Sequence, residues 1–250
     1  MNESPANATA ATTAQQPTVR VVGHRGAATH APENTMASFE RAMRDGAEIL
    51  ECDVHLSADG HVIVMHDETI DRTADPDSPL ITGALADLSL EQIKQVRVGG
   101  GETVPTLDEL LEATTVPLFV EVKAPAAARA VAQMLGGLPA DHPASASTVI
   151  SFHPEALEVI RIEAPSIPCS LLVETLDEGA VEKAVQIGAV GIGPWIGALS
   201  LHGTELAHEK GLSVNPWTVN DARQLAVARA CGVDTITTDD PAWVREDLAS

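Results

Sequence analysis

The feature that most constrains this 250-residue chain is a repeat of type, not of letters. A short apolar, often β-branched run is followed by a stretch with helical spacing, and the pair recurs eight times. The strand-like runs fall at residues 19–23, 49–53, 117–122, 149–152, 169–173, 190–193, 213–217 and 235–238. The helical stretches lie at about 35–45, 107–113, 126–135, 155–163, 178–187, 204–210 and 222–230, with a last one after Pro241. Alternation of this kind returns the chain to the same end of a sheet each time, so the sheet is parallel. Eight units in roughly 250 residues favour a closed TIM barrel. An open doubly wound sheet needs a glycine-rich phosphate turn after its first strand, and Gly23-His24-Arg25-Gly26-Ala27-Ala28 is not G-x-G-x-x-G. The expected fold class is therefore α/β: a single (β/α)8 TIM barrel over residues 19–250. It carries a short hairpin extension after strand 2 and a small insertion, about 67–104, before helix 2. Residues 1–18 lack apolar periodicity and are expected to form a disordered tail.

With aromatic residues at 2% and no tyrosine, the core must be built from Ala, Val, Leu and Ile. The net charge of -21 disfavours nucleic acid and anionic lipid as partners. Cys52, Cys169 and Cys231 are odd in number and form no C-x-x-C pair, which points to neither a zinc site nor a disulfide framework. No apolar run reaches membrane-spanning length, and no basic-then-apolar leader opens the sequence. A cytoplasmic protein without stable membrane association is expected.

In a barrel of this type the site lies at the C-terminal ends of the strands. Glu51 and Asp53 interrupt an apolar run with one residue between them, so both carboxylates share one face of strand 2. Two like charges on a buried strand require a proton or a cation to compensate them; the alternative is an edge hairpin whose charges face water. The Asp59-Gly60 pair turns the chain back along 62–65 and returns His66-Asp67 toward the carboxylates. Strand 1 ends in His24-Arg25, and strand 3 ends in Glu121-Val122-Lys123 with the same one-residue spacing. Three carboxylates without thiolates suit Mg2+ or Ca2+ better than zinc. Arg25 and Lys123 would counter an anionic substrate, and two histidines can divide proton transfer between the attacking and leaving oxygens. Together these groups describe phosphodiester cleavage. Each has a plainer reading, a structural histidine or a Glu121–Lys123 ion pair, and it is their joint placement on successive strand ends that favours the chemistry. Asp67 either caps the turn or bonds the His66 ring. His30, His55, His61, His142, His202 and His208 are expected in loops or on exposed faces, with no part in the site.

From 21 to 241 the chain resembles the glycerophosphodiester phosphodiesterase family. His24-Arg25-Gly26, Pro32-Glu33-Asn34-Thr35, Glu51-Cys52-Asp53, His66-Asp67, Pro105-Thr106-Leu107 and Glu121-Val122-Lys123 match its motifs in order. Ser151-Phe152, Trp217-Thr218-Val219-Asn220 and Thr238-Asp239 with Pro241 continue the series, while Asp240 stands where the family often has an aromatic. The resemblance implies one divalent cation held by Glu51, Asp53 and Glu121, and His24 with His66 as the acid–base pair. It further implies Arg25 and Lys123 on the phosphate, and Phe152 and Trp217 as apolar walls near the glycerol or the leaving alcohol. The implied reaction converts a small-molecule glycerophosphodiester to sn-glycerol 3-phosphate and an alcohol. Two rivals are a lysophospholipase D acting on single-chain lipids and a barrel that only binds metal and phosphate.

Overall fold

The computed structural model describes residues 19–249, so the tail expected at 1–18 lies outside the described residues. Eight parallel strands form the central sheet: β1 (Arg20–Gly23), β2 (Ile49–Leu56), β3 (Leu118–Val122), β4 (Thr148–Ser151), β5 (Cys169–Val173), β6 (Gly191–Pro194), β7 (Ser213–Val214) and β8 (Thr235–Thr238). They pair in the order β7-β6-β5-β4-β3-β2-β1-β8. Between β7 and β8 no regular ladder forms. There the ring is closed by the Asp234 amide donating to the Val214 carbonyl (3.0 Å), Thr237 to Pro216 (3.3 Å) and Val219 to Thr237 (2.8 Å). The seventh strand was expected to reach residue 217, and its regular part stops at Val214. Pro216 has no N–H for the ladder, although Asn215 and Trp217 still donate to the Ile192 and Pro194 carbonyls of β6.

The helices of the outer layer are α1 (Met36–Arg44), α2 (Leu107–Ala113), α3 (Ala128–Gly136), α4 (Pro154–Glu163), α5 (Glu178–Gln186), α6 (Leu201–Glu209), α7 (Ala222–Cys231) and α8 (Pro241–Ala249). Their starts are written in the sequence. The side chains of Thr35, Thr106, Asp177, Ser200 and Asp221 each accept an amide of the first turn, and Thr106 with Glu109 forms a reciprocal capping box. Such caps hold each helix entry at the C-terminal end of the strand before it, which is where a site must be built.

Strand parity divides the side chains. Leu50, Cys52 and Val54 of β2, and Leu118, Val120 and Val122 of β3, belong to the large aliphatic cluster between sheet and helices. Their alternates point into the barrel, where Ile49, Phe119, Val22, Ile150 and Leu172 form a second, smaller cluster beneath Phe152 and Trp217. The register pairs Glu51 with Phe119 and Asp53 with Glu121, so three carboxylates sit on the inner layer immediately above that apolar floor.

After β2 the chain returns antiparallel along Val62–Val64, pairing Val54 with Val64. The segment that follows, before α2, has its own apolar cluster of Ile63, Met65, Ile70, Leu85, Ile93, Val96, Val98 and Val104. It contains a short helix (Leu90–Ile93) and a two-stranded ribbon (Arg97–Val98 with Glu102–Thr103). Among the described residues no helix is long and apolar enough to cross a membrane.

Candidate active site at the barrel mouth

A cavity of about 240 Å³ opens at the C-terminal ends of the strands. The structure brings His24, Arg25, Glu51, His66, Glu121, Lys123, Phe152 and Trp217 to its wall, and Asp53 beneath Arg25 and Lys123.

β1 ends abruptly. Arg25 has φ 51° and Gly26 φ 90°, and a Cβ at Gly26 would lie 2.4 Å from the Ser38 hydroxyl, so only glycine fits where the chain doubles back on α1. The reversal points the Arg25 amide at Glu51 Oε2 (2.9 Å) and lets Ser38 Oγ and the Asn34 amide both donate to the Arg25 carbonyl. Asn34, also at positive φ, reaches back to β2. Its Nδ2 donates to Asp53 Oδ2 (2.9 Å), and its Oδ1 accepts the Asp53 amide (3.3 Å).

Glu51, Asp53 and Glu121 are all buried, and each offers an oxygen within 4.8 Å of the others. The edge hairpin with solvated charges, the alternative open in the sequence, is excluded by this burial. Burial and then repulsion from Asp53 and Glu121 push Glu51 well up from the ordinary carboxylate range. Burial and Asp53 push Glu121 up to about 7. Burial would raise Asp53 as well, but Arg25 first and Lys123 second outweigh it and leave it lowered. Lys123 Nζ lies 2.8 Å from Glu121 and 3.5 Å from Asp53, so the plain ion pair exists but is shared across two strands. Arg25 Nε stands 3.2 Å from Asp53 Oδ2 without hydrogen-bond alignment, and the buried Asp53 Oδ1 accepts no hydrogen bond. A buried oxygen without a donor, inside three crowded carboxylates, is the donor set a hard divalent cation takes. These residues fit that group.

The two imidazoles are held alike. His24 Nδ1 donates to Asp239 Oδ1 (2.6 Å), whose Oδ2 accepts Asn220 Nδ2 (2.6 Å). His66 Nδ1 donates to Asp67 Oδ1 (2.6 Å), so of the two readings of Asp67 the ring contact is the one found. With Nδ1 engaged, Nε2 is the nitrogen each ring has free for the cavity. His24 Nε2 lies 4.0 Å from Glu51. Phe152 and Trp217 meet edge to face, centroids 5.4 Å apart, and Trp217 Nε1 donates to the Gly193 carbonyl (2.9 Å).

His55, expected in a loop or on an exposed face, is instead a buried residue of β2, with Nε2 donating to the His66 carbonyl (3.1 Å). It continues the 51–53 parity, which was the signal available. Glu33, Asn34, Arg72, Asn220 and Asp239 support the site without having been singled out individually; the strand-end rule, applied to loops 7 and 8, points at Asn220 and Asp239.

Two carboxylate-backed imidazoles, a buried carboxylate triad and two cations around one such mouth match a barrel enzyme that cleaves phosphoric diesters. The profile of the Glycerophosphoryl diester phosphodiesterase family matches residues 24–243, and the chain belongs to that family. The glycerophosphodiester phosphodiesterase of Caldanaerobacter subterraneus is 32% identical over 236 residues, covering 88% of this chain and 94% of the relative. Among solved structures, an Oleispira antarctica phosphodiesterase in complex with sn-glycerol-3-phosphate superposes with a TM-score of 0.85 at 26% identity, covering 92% of this chain and 97% of the other. The glycerophosphodiester phosphodiesterase of Agrobacterium tumefaciens gives 0.75 at 28% identity, over 93% and 100% of the two chains.

Proposed function

We propose that this chain hydrolyses glycerophosphodiesters to sn-glycerol 3-phosphate and an alcohol, with His24 and His66 as the acid–base pair. The observation that carries the reading is the symmetry of the two imidazoles: each is fixed at Nδ1 by a carboxylate, and each borders the cavity that the carboxylate triad also lines. The Oleispira relative's complex with sn-glycerol-3-phosphate supports the same product here.

Glu51, Asp53 and Glu121 would hold one divalent cation, Mg2+ or Ca2+, which supplies positive charge for the phosphate when bound. Arg25 offers a planar fork to a phosphate oxygen, and Lys123 adds a point charge beside it. Phe152 and Trp217 exclude water from the side where the glycerol or the alcohol lies. His24, backed by Asp239, takes the proton from the glycerol 2-hydroxyl as that oxygen attacks phosphorus. His66, backed by Asp67, gives a proton to the departing alcohol oxygen. An internal nucleophile of this kind gains an effective concentration worth up to ~7 to 11 kcal/mol when well oriented. A cyclic 1,2-phosphate results, and water opens it with the histidine roles reversed.

The test is a panel of head-group diesters assayed for released glycerol 3-phosphate, with Mg2+ and Ca2+ in parallel and a 2-deoxy analogue included. Release from the parent diesters and none from the analogue is expected. Turnover of the analogue at the parent rate would eliminate the internal nucleophile, and no release from any diester would eliminate the activity.

A further inference from the structure

We propose that Arg72, in the segment between β2 and α2, is a positioning residue that holds His66 and Arg25 in one working arrangement. The inference rests on the roles read for those two residues above. Its basis is a chain of five charged or polar groups. Arg72 donates through Nε and Nη2 to both oxygens of Asp67 (2.5 and 3.1 Å), and through Nη2 and Nη1 to both oxygens of Glu33 (2.7 and 3.1 Å). Asp67 in turn holds the His66 ring at Nδ1, and Glu33 Oε1 accepts Arg25 Nη1 at 2.9 Å. One guanidinium therefore clamps two carboxylates, and each carboxylate orients one group of the cavity wall.

An exposed ion pair is ordinarily worth little, because solvent screens it and long side chains lose entropy in making it. Arg72 is half exposed, but the geometry here is bidentate on both sides, the case in which a planar fork is not replaceable by a point charge. The Arg72 bond is the foremost reason the Asp67 carboxyl is held down at about 2, and burial of Glu33 is outweighed chiefly by its bond to Arg72. His24 shows what the arrangement is for. Its carboxylate, Asp239, is steadied by the neutral amide of Asn220 from the loop after β7, within the barrel itself. His66 follows the return strand outside the ring, and among the described residues the donor to its carboxylate comes not from a barrel loop but from the inserted segment, as Arg72. On this account the segment between β2 and α2 completes the acid side of the mouth.

The experiment uses the full chain with Arg72→Ala and Arg72→Lys, with folding checked by thermal melting. Two readouts are compared: kcat on a glycerophosphodiester, and the His66 ring tautomer from long-range 1H–15N correlations without substrate. Asp67 held in place keeps the proton on Nδ1. Removing Arg72 should release Asp67, shift the ring toward the Nε2-protonated tautomer, and lower kcat by about 10- to 100-fold, the scale of a reacting group misplaced by about an ångström. Arg72→Lys should resemble Arg72→Ala more than wild type. In a His66→Ala background, Arg72→Ala should cost clearly less than it does alone. An unchanged tautomer with kcat within twofold of wild type, or full rescue by lysine, overturns the proposal. Should the wild type release no glycerol 3-phosphate, the functional reading falls, and the tautomer readout still decides whether Arg72 orients His66.

Discussion

The two sides of the barrel mouth are built on opposite principles. The ends of β1, β2 and β3 carry the charge: His24, Arg25, Glu51, Asp53, Glu121 and Lys123, each tied to at least one neighbour. The ends of β4 to β7 present Ile150, Phe152, Leu172 and Trp217, whose side chains meet through the edge-to-face ring pair and the Trp217 indole bond to Gly193, with Ser170, Glu174 and Asn215 as the polar residues between them on the cavity wall. The charged side concentrates like charges where burial penalises them, and so trades stability for chemistry. The apolar side stabilises the barrel and shapes the space. Chemistry that tolerates no substitution should therefore map to one half of the ring, and tolerance to the other.

The steepest test of that division is loss of either cavity histidine. His24→Ala and His66→Ala should each lower kcat/KM by roughly 10² to 10⁴-fold, the usual contribution of one acid or base, in a steady-state assay of glycerol 3-phosphate release. Arg25→Lys comes next. It keeps the charge and the backbone demands of the turn but loses the fork, and should cost roughly 10- to 100-fold, matching about 1.5 to 3 kcal/mol for a hydrogen bond to a charged group. Across the cavity, Phe152→Leu removes the ring edge that meets Trp217. Its effect should be only about two- to tenfold, in line with about 0.5 to 1.5 kcal/mol for such a pair. A loss there as large as that of a histidine would show that the apolar half of the ring takes part in the chemistry.

The smallest effect is expected on the far face of the same strands. Cys52 lies between Glu51 and Asp53 but packs among the helices, and burial, then the neighbouring carboxylates, push its thiol well up. Burial likewise takes Cys169 up to about 11. Both should stay protonated and unlabelled by iodoacetamide between pH 7 and 9 in the folded protein, with activity unchanged; mass spectrometry of the treated chain reads this directly.

What was legible in the sequence follows the same division. Parity made the charged half readable: a one-residue spacing in Glu51-Cys52-Asp53 and again in Glu121-Val122-Lys123 places each pair on one face, and the apolar context says the face is inward. The same parity reaches His55, because β2 runs on to Leu56, past the 49–53 that the apolar run marks. The eight alternations were enough for the barrel, because each strand needs a helix to return. The supports were not legible in that way. Asp239 meets His24 across 215 residues of sequence, and Arg72 meets Glu33 across 39, so no local spacing announces either pairing. The irregular closure between β7 and β8 is partly written in Pro216, which cannot donate to a ladder, but the three backbone bonds that replace the ladder depend on how the ring comes round.

If Glu51, Asp53 and Glu121 are buried together to hold a divalent cation that hydrolysis requires, activity must follow the cation and fail without the Glu51 charge. The most direct measurement follows the 31P resonance of a glycerophosphodiester with wild type and Glu51→Gln, each stripped by chelator and then given Mg2+ or Ca2+. Stripped wild type should be inactive, adding the cation should restore the glycerol 3-phosphate signal, and Glu51→Gln should not be restored although it remains folded. Turnover that persists through chelation and survives Glu51→Gln would contradict that requirement.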